Sequence, residues 1–266
     1  MPSGMTVRFV EPETHCAGHA VSTISVTTIR TGTMTDSQHF PQFAHPTAGL
    51  SRLVLVRHGQ TDGNAARLLH GRTDLPLNET GLQQAERVAA RIKERFEIDA
   101  IVSSPLLRAS STAAIIGRLF GIKYSLEESL QEMDFGDLEG ISVERFLTGY
   151  PDLAAKAFDP ANTDLAWPNG ESRFDFHRRV ARVFDTLLRN PDRHTIVVVA
   201  HNGVLGSFLA QVRGASPDDW QAYRLANCAI SWVDVDPNGT IVHAVNDCDH
   251  LDGLVSVIST EPVVVK

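Results

Sequence analysis

Two histidines stand where a chain can bring them together. His58 follows the apolar run Arg52–Val56 and Arg57, and His201 follows Thr195–Ala200. Each run reads as a strand, and in an open parallel sheet the carboxyl ends of the strands line the ligand crevice. Arginines accompany them. Arg57 directly precedes His58, and Arg108 lies in the first turns of a helix that follows Ser103-Ser104-Pro105. Guanidinium groups hold a tetrahedral or planar oxyanion through paired hydrogen bonds. Their charge also disfavours an imidazolium, and an uncharged imidazole is a nucleophile. An uncharged ring nitrogen with cations ready for phosphoryl oxygens is what phosphoryl transfer to histidine requires.

The elements that must position these side chains alternate between strand and helix. Arg52–Val56 is a buried strand. Asn78 caps a helix with Leu82, Ala85, Ala89, Ile92 and Phe96 on one face. Asp99–Val102 is a second strand, and a helix beginning near Pro105 runs to about Phe120. A weak strand follows Gly121. Residues 136–171 are rich in Gly, Pro and Asp and read as an insertion, or lid, of short helices. A long helix from Ser172 to Leu188 turns Phe176, Val180, Val183, Phe184 and Leu187 inward. Thr195–Ala200 is continuous and β-branched, as a central parallel strand is. Ala229–Val235 and Thr240–Val245 form a hairpin around Asp236-Pro237-Asn238-Gly239. The alternation predicts an α/β fold: a three-layer α/β/α sandwich with a mostly parallel central sheet.

Composition narrows the partners. A chain of 266 residues has room for a substantial core without disulfides or metals. Its net charge of −8 argues against nucleic acid, and no apolar run is long enough to span a membrane. Cys16, Cys228 and Cys248 are odd in number and widely spaced, which fits a reducing, cytoplasmic compartment and excludes a thiolate zinc cluster. No metal site is expected, and no cofactor. Residues 1–50 hold 13 Ser or Thr and a single leucine, so the expectation there is a disordered leader. Ile24 and Val26 suit at most one short strand, and Met34 is a candidate start. Residues 51–250 form the expected domain and 251–266 a tail. The apolar runs Leu254–Ser259 and Val263–Val265 suit an edge strand or a partner contact, which leaves a homodimer open.

Leu55-Val56-Arg57-His58-Gly59-Gln60-Thr61, with Asn64 following, resembles the signature of the histidine phosphatase superfamily, the phosphoglycerate mutase-like proteins. Gly71, Asp74, Pro76-Leu77, Gly81 and Gln84-Ala85 look like the stretch that follows in that family. Ser103–Ala109 with Thr112-Ala113 looks like its second arginine motif, and Leu130, Glu132, Phe135-Gly136 and Gly140 like its acid motif. Gly170-Glu171-Ser172 and Val199-Ala200-His201 complete the order. The resemblance implies a phosphoglycerate mutase-like fold and a metal-independent reaction in which His58 becomes phosphohistidine. Arg57, Arg108 and His201 would bind the phosphoryl oxygens, and Glu132 would protonate the leaving oxygen and then activate water. Asn64 and Gln60 would sit at the phosphate rim, Gln60 alternatively as a buttress of the loop. Gly71 falls in the substrate-binding set. Asn202 would meet the anion at a helix start, or simply cap that helix. Mutases of the family carry extra basic residues where this chain has Met133, Asp134 and Val143, and Asp137 is also near. That favours a phosphomonoesterase acting on a small phosphorylated metabolite. A phosphoglycerate mutase is the alternative, and an inactive phosphate-binding module a third. Phe158 and Trp167 of the insertion are candidates for leaving-group contact.

Overall fold

A computed structural model describes residue 43 and residues 49–159, 161–189 and 194–254. The leader, the strand at Ile24 and Val26, the start at Met34 and the C-terminal run beyond residue 254 lie outside these described residues. The chain forms β1 (Ser51–Arg57), α1 (Asp62–Ala65), α2 (Glu79–Arg95), β2 (Ala100–Ser103), α3 (Leu107–Phe120) and β3 (Tyr124–Leu126). Then come α4 (Val143–Gly149), α5 (Pro151–Phe158), α6 (Arg173–Leu188), β4 (Thr195–Ala200), α7 (Asn202–Val212), β5 (Ile230–Asp236) and β6 (Gly239–Asp247).

The six strands make one sheet in the order β3-β2-β4-β1-β5-β6. β1, β2, β3 and β4 run parallel, while the β5–β6 hairpin joins β1 antiparallel. Side-chain alternation along the strands builds two cores. Leu53, Leu55, Ile196 and Val198 pack on α6 and α7, whereas Val54, Val56, Val197 and Val199 pack on α2 and α3. The two apolar faces explain why β1 and β4 read as unbroken apolar runs, and the three layers are those expected from the alternation.

Two local expectations need correction. Leu82 is not on the inward face of α2; it is 47% exposed. Asn78 accepts a hydrogen bond from the Gly81 amide at 2.9 Å, and this cap sets the helix phase so that Gln84, Ala85, Val88, Ala89 and Ile92 turn inward. Pro105 is not in the first turn of α3, which begins at Leu107. Residues 104–106 instead form a connector after β2, and the Leu107 amide is taken by Asp74 Oδ1 at 2.6 Å. That connector carries Ser104 into the site. Among the described residues no helix is long and apolar enough to cross a membrane.

Candidate active site

Strand register brings the two histidines together. Arg57 on β1 is paired with Ala200 on β4, so His58 and His201 are each the next residue beyond the paired ends. The His58 amide donates to the Ala200 carbonyl at 3.0 Å, and the two rings lie 5.1 Å apart between centroids. β2 adds the third side: Ser103 pairs with Val199, and Ser104 Oγ lies 2.8 Å from His201 Nε2.

Each ring has a defined tautomer. His58 Nδ1 is 2.7 Å from the Gly59 carbonyl, which can only accept, so Nδ1 carries the proton and Nε2 keeps its lone pair. Burial, then the charges of Arg108 and Arg57, holds the His58 pKa well below the ordinary imidazole range. His201 Nδ1 accepts from Arg108 Nε at 3.3 Å, so its proton sits on Nε2 and points to Ser104. Burial, Arg108 and His58 lower the His201 pKa in the same way.

The two arginines are held differently. Arg108 is 1% exposed, and its Nη atoms donate to the carbonyls of Thr73 (2.9 Å) and Gly71 (2.7 Å), with His70 farther at 3.4 Å. A phosphoryl oxygen would have to share these N–H groups with the loop. Arg57 donates through Nη1 to the Leu225 carbonyl at 2.5 Å. Its buried Nε has no partner among the described residues. Burial pushes the Arg57 guanidinium down to about 10, with Glu132 opposing and Arg108 reinforcing the shift. It remains a cation at neutral pH.

Glu132 comes from the segment before α4. Its Oε2 accepts from the Gly203 amide at 2.9 Å in the first turn of α7, and its Oε1 from Met133 at 3.0 Å. A Cβ at position 203 would meet Glu132 Oε1 at 2.5 Å, so only glycine leaves this carboxylate in place. Arg179 on α6 supports the segment from behind, donating to the carbonyls of Ser129, Gln131 and Glu132 at 2.6–3.0 Å. Glu171 pairs with Arg179 at 2.7 Å, which gives the Gly170-Glu171-Ser172 stretch its task.

A cavity of about 330 Å³ opens beside this cluster, within the range of small-molecule sites. Arg57, Asn64, Glu132, Asn202 and Gly203 line it. Phe158 and Trp167 line it too, together with Met133 and Val143. Asn64 also closes a capping box with Thr61 at the start of α1. Asn202 neither caps α7 nor is left with a bare carbonyl: its Oδ1 accepts from the Leu225 amide at 2.8 Å.

Other expected contacts lie elsewhere. Gln60 does not line the cavity; its Oε1 accepts from Asn78 at 3.1 Å, which braces the start of α2. Gly71 is also outside the lining, with its amide on Glu139 and its carbonyl on Arg108. Asp134 and Asp137 bond Gly136 and Asn169 and do not make the cavity acidic, so that argument against a mutase fails. The sequence reading missed Glu139. Its carboxylate gathers the amides of Gly71, Arg72, Thr73 and Phe135 and the Thr73 hydroxyl, and so shapes the loop that grips Arg108. Burial opposes its charge, yet these donors hold it below the usual carboxylate range. His70, Arg67 and Arg224 on the cavity wall were also missed. No spacing signals Glu139, because most of its donors lie 66–68 residues away in sequence.

Comparison with known proteins agrees with this geometry. Residues 53–248 match the sequence profile of the Histidine phosphatase superfamily (branch 1). The chain is 32% identical over 206 residues to the Probable phosphoglycerate mutase GpmB of Yersinia pestis (strain Pestoides F), covering 76% of this chain and 95% of that protein. The alpha-ribazole phosphatase of Shigella flexneri superposes with a TM-score of 0.66 at 25% identity, covering 79% of this chain and all of that one. A phosphoserine phosphatase variant from Entamoeba histolytica, in complex with phosphoserine, gives 0.66 at 28% identity over 76% of this chain and 99% of its own. With its paired strand-end histidines, its buried Arg108 and half-buried Arg57, and this match over most of its length, the chain belongs to the histidine phosphatase superfamily.

Proposed function

We propose that the protein is a phosphomonoesterase that hydrolyses a small phosphorylated metabolite through a phosphohistidine at His58. The observation that carries this reading is the His58 tautomer: a buried, uncharged ring with its Nε2 lone pair available beside Arg57 and Arg108. Nε2 attacks phosphorus and the bond to the leaving oxygen breaks. Glu132 supplies the proton that the leaving oxygen needs. The resulting carboxylate then takes a proton from water, whose oxygen attacks phosphorus and releases the imidazole. The orphaned Nε–H of Arg57 is a ready donor to a phosphoryl oxygen, and Arg108 and His201 beside His58 complete the phosphoryl site. Asn64 and Asn202 belong to the substrate-facing wall. The net charge of −8 and the cysteine usage support a small-molecule substrate and a cytoplasmic setting.

The apolar wall favours hydrolysis. Met133 and Val143 face the cavity where mutases of the family carry basic residues, so the extra cations such a mutase uses are missing from those positions. A phosphoglycerate mutase stays as a second reading because Arg67 and Arg224 bring other cations to the cavity. Incubation with 3-phosphoglycerate and a trace of bisphosphate separates the two, since hydrolysis yields free phosphate and a mutase yields the isomer. With p-nitrophenyl phosphate, His58→Ala is expected to reduce turnover by at least about 10³-fold and to abolish an acid-labile, base-stable phosphoenzyme. Turnover equal in the wild type and His58→Ala would sink the reading.

A further inference from the structure

Residues 225–228, the strap that leads into β5, hold four members of the site. The Leu225 carbonyl accepts from Arg57 Nη1 at 2.5 Å, and the Leu225 amide donates to Asn202 Oδ1 at 2.8 Å. The Cys228 amide donates to the Arg57 carbonyl at 2.9 Å. Asn227 is buried, and its Nδ2 donates to the His58 carbonyl at 3.0 Å and to Asn64 Oδ1 at 3.2 Å. The strap keeps this shape against backbone strain: Cys228 has a φ of +57°, in the left-handed region, which costs a non-glycine residue on the order of 1 kcal/mol. The Ala226 amide anchors it from the far side by donating to Asn246 Oδ1 at 2.7 Å.

Two carbonyls decide which way the Asn64 amide points. The His58 carbonyl can only accept, so the Nδ2 end of Asn227 lies against it. Asn227 Nδ2 then needs an acceptor on Asn64, and so does the Thr61 amide at 3.1 Å, which turns the Asn64 oxygen toward both. At the other end of the amide, His70 Nδ1 is 3.0 Å from the Leu68 carbonyl and therefore carries the ring proton. His70 Nε2 is thus an acceptor, 3.4 Å from Asn64 Nδ2. Burial, then the charges of Arg108 and Arg57, lowers the pKa of His70 as it lowers that of His58, so the ring stays neutral. Asn64 and His70 both line the cavity, as Arg57 does. The Asn64 oxygen is bound into the fold, and the end that can donate is the one on the His70 side. A phosphoryl anion is attracted by an N–H group and repelled by a carbonyl oxygen, so the sense of this amide matters.

We propose that Asn227 is a positioning residue for phosphate recognition: it ties the Asn64 amide to the backbone of His58, so that Asn64 meets the anion with its N–H groups and not with its oxygen. This rests on the reading of the cavity as a phosphate-ester site and adds a residue to that site. Asn227 acts through Asn64. Without it, the His58 carbonyl and the Asn64 oxygen lose the donor they share, the amide is free to turn over, and Asn64 no longer contributes to holding the phosphate.

The test is a double-mutant cycle read by calorimetry with inorganic phosphate, which needs no turnover. Asn64→Ala and Asn227→Ala are each expected to weaken phosphate binding about tenfold, the scale of one hydrogen bond to a charged group. The double variant is expected to stay at about tenfold, because the second change removes what the first has already lost; independent effects would multiply to about a hundredfold. Asn227→Leu keeps the bulk of the side chain without its donors, and it serves if the alanine variant does not fold. It is expected to bind phosphate as weakly as Asn227→Ala. Wild-type affinity in Asn227→Leu would assign the residue to packing, and failure of both Asn227 variants to fold would assign it to stability. Either result, a loss of about a hundredfold in the double variant, or no measurable phosphate binding by the wild type would overturn the proposal. Turnover of p-nitrophenyl phosphate is assayed alongside. Its absence from the wild type, with the coupling between Asn64 and Asn227 intact, would overturn the phosphatase reading and leave the positioning role standing.

Discussion

A hydrogen bond from a histidine to the carbonyl of the next residue decides which ring nitrogen of His58 is basic, and that bond is local. So is the adjacency of Arg57. Residue types at strand ends were therefore enough to mark His58, His201, Arg57 and Arg108. Glu132 is different. As one carboxylate among Glu127, Glu128 and Asp134 it carries no spacing signal, and only the family resemblance picked it out. Its geometry depends on Gly203, 71 residues away. Gly203→Ala places a methyl group against the carboxylate and is expected to lower kcat by about 10²-fold, since small displacements of a proton-transfer group are costly. Affinity for inorganic phosphate should change little, because Arg57, Arg108 and His58 are untouched. Steady-state kinetics with phosphate inhibition checks this, and unchanged kcat would show that the Gly203 contact does not position Glu132.

Helices α6 and α7 meet the 217–223 segment through a buried polar network. Asp218 lies 3.5 Å from Arg173 Nε and 3.4 Å from His177 Nε2, and His177 Nδ1 is 2.7 Å from Ser207 Oγ. Arg173 extends the network to carbonyls at the end of α5 and just beyond it, so it ties the insertion that walls the cavity to the helical layer. Asp218→Ala leaves a buried guanidinium without its counter-charge, and a loss of about 3–5 kcal/mol in unfolding free energy is expected. Urea denaturation measures it, and a change below about 1 kcal/mol would assign the network to solvent-like energetics. Periodicity made α6 legible, with Ser172 as its cap and Phe176, Val180 and Phe184 inward. It did not reveal that Arg173 and His177 on the same helix are buried. A charged residue on a helix reads as solvent-facing unless its partners, here Asp218 among them at 41 to 45 residues downstream, are known.

At the scale of the whole molecule, burial lowers the pKa of five histidines among the described residues, His58, His70, His177, His201 and His250. Unfolding restores each to about 6.5. Below that pH the unfolded chain binds more protons than the folded one, so stability is full above pH 6.5 and falls as the pH drops through the window beneath it. The urea midpoint is expected to decrease steadily from pH 7 to pH 5, above the range in which carboxylates titrate; a flat or rising midpoint would contradict the buried, uncharged rings. The layers of the fold and the order of its elements were legible because they rest on short-range rules. Continuous β-branched runs make buried strands, helix caps lie within a few residues of the elements they start, and an Asp-Pro-Asn-Gly turn makes a hairpin. Those rules also placed His58 at a strand end. Tertiary structure alone decided the strand order that sets rings 58 and 201 side by side, the grip of Glu139 on the loop around Arg108, and the arginines that face the cavity. These contacts join residues tens to more than a hundred positions apart, and their energies depend on burial and register, which no local pattern of residues encodes.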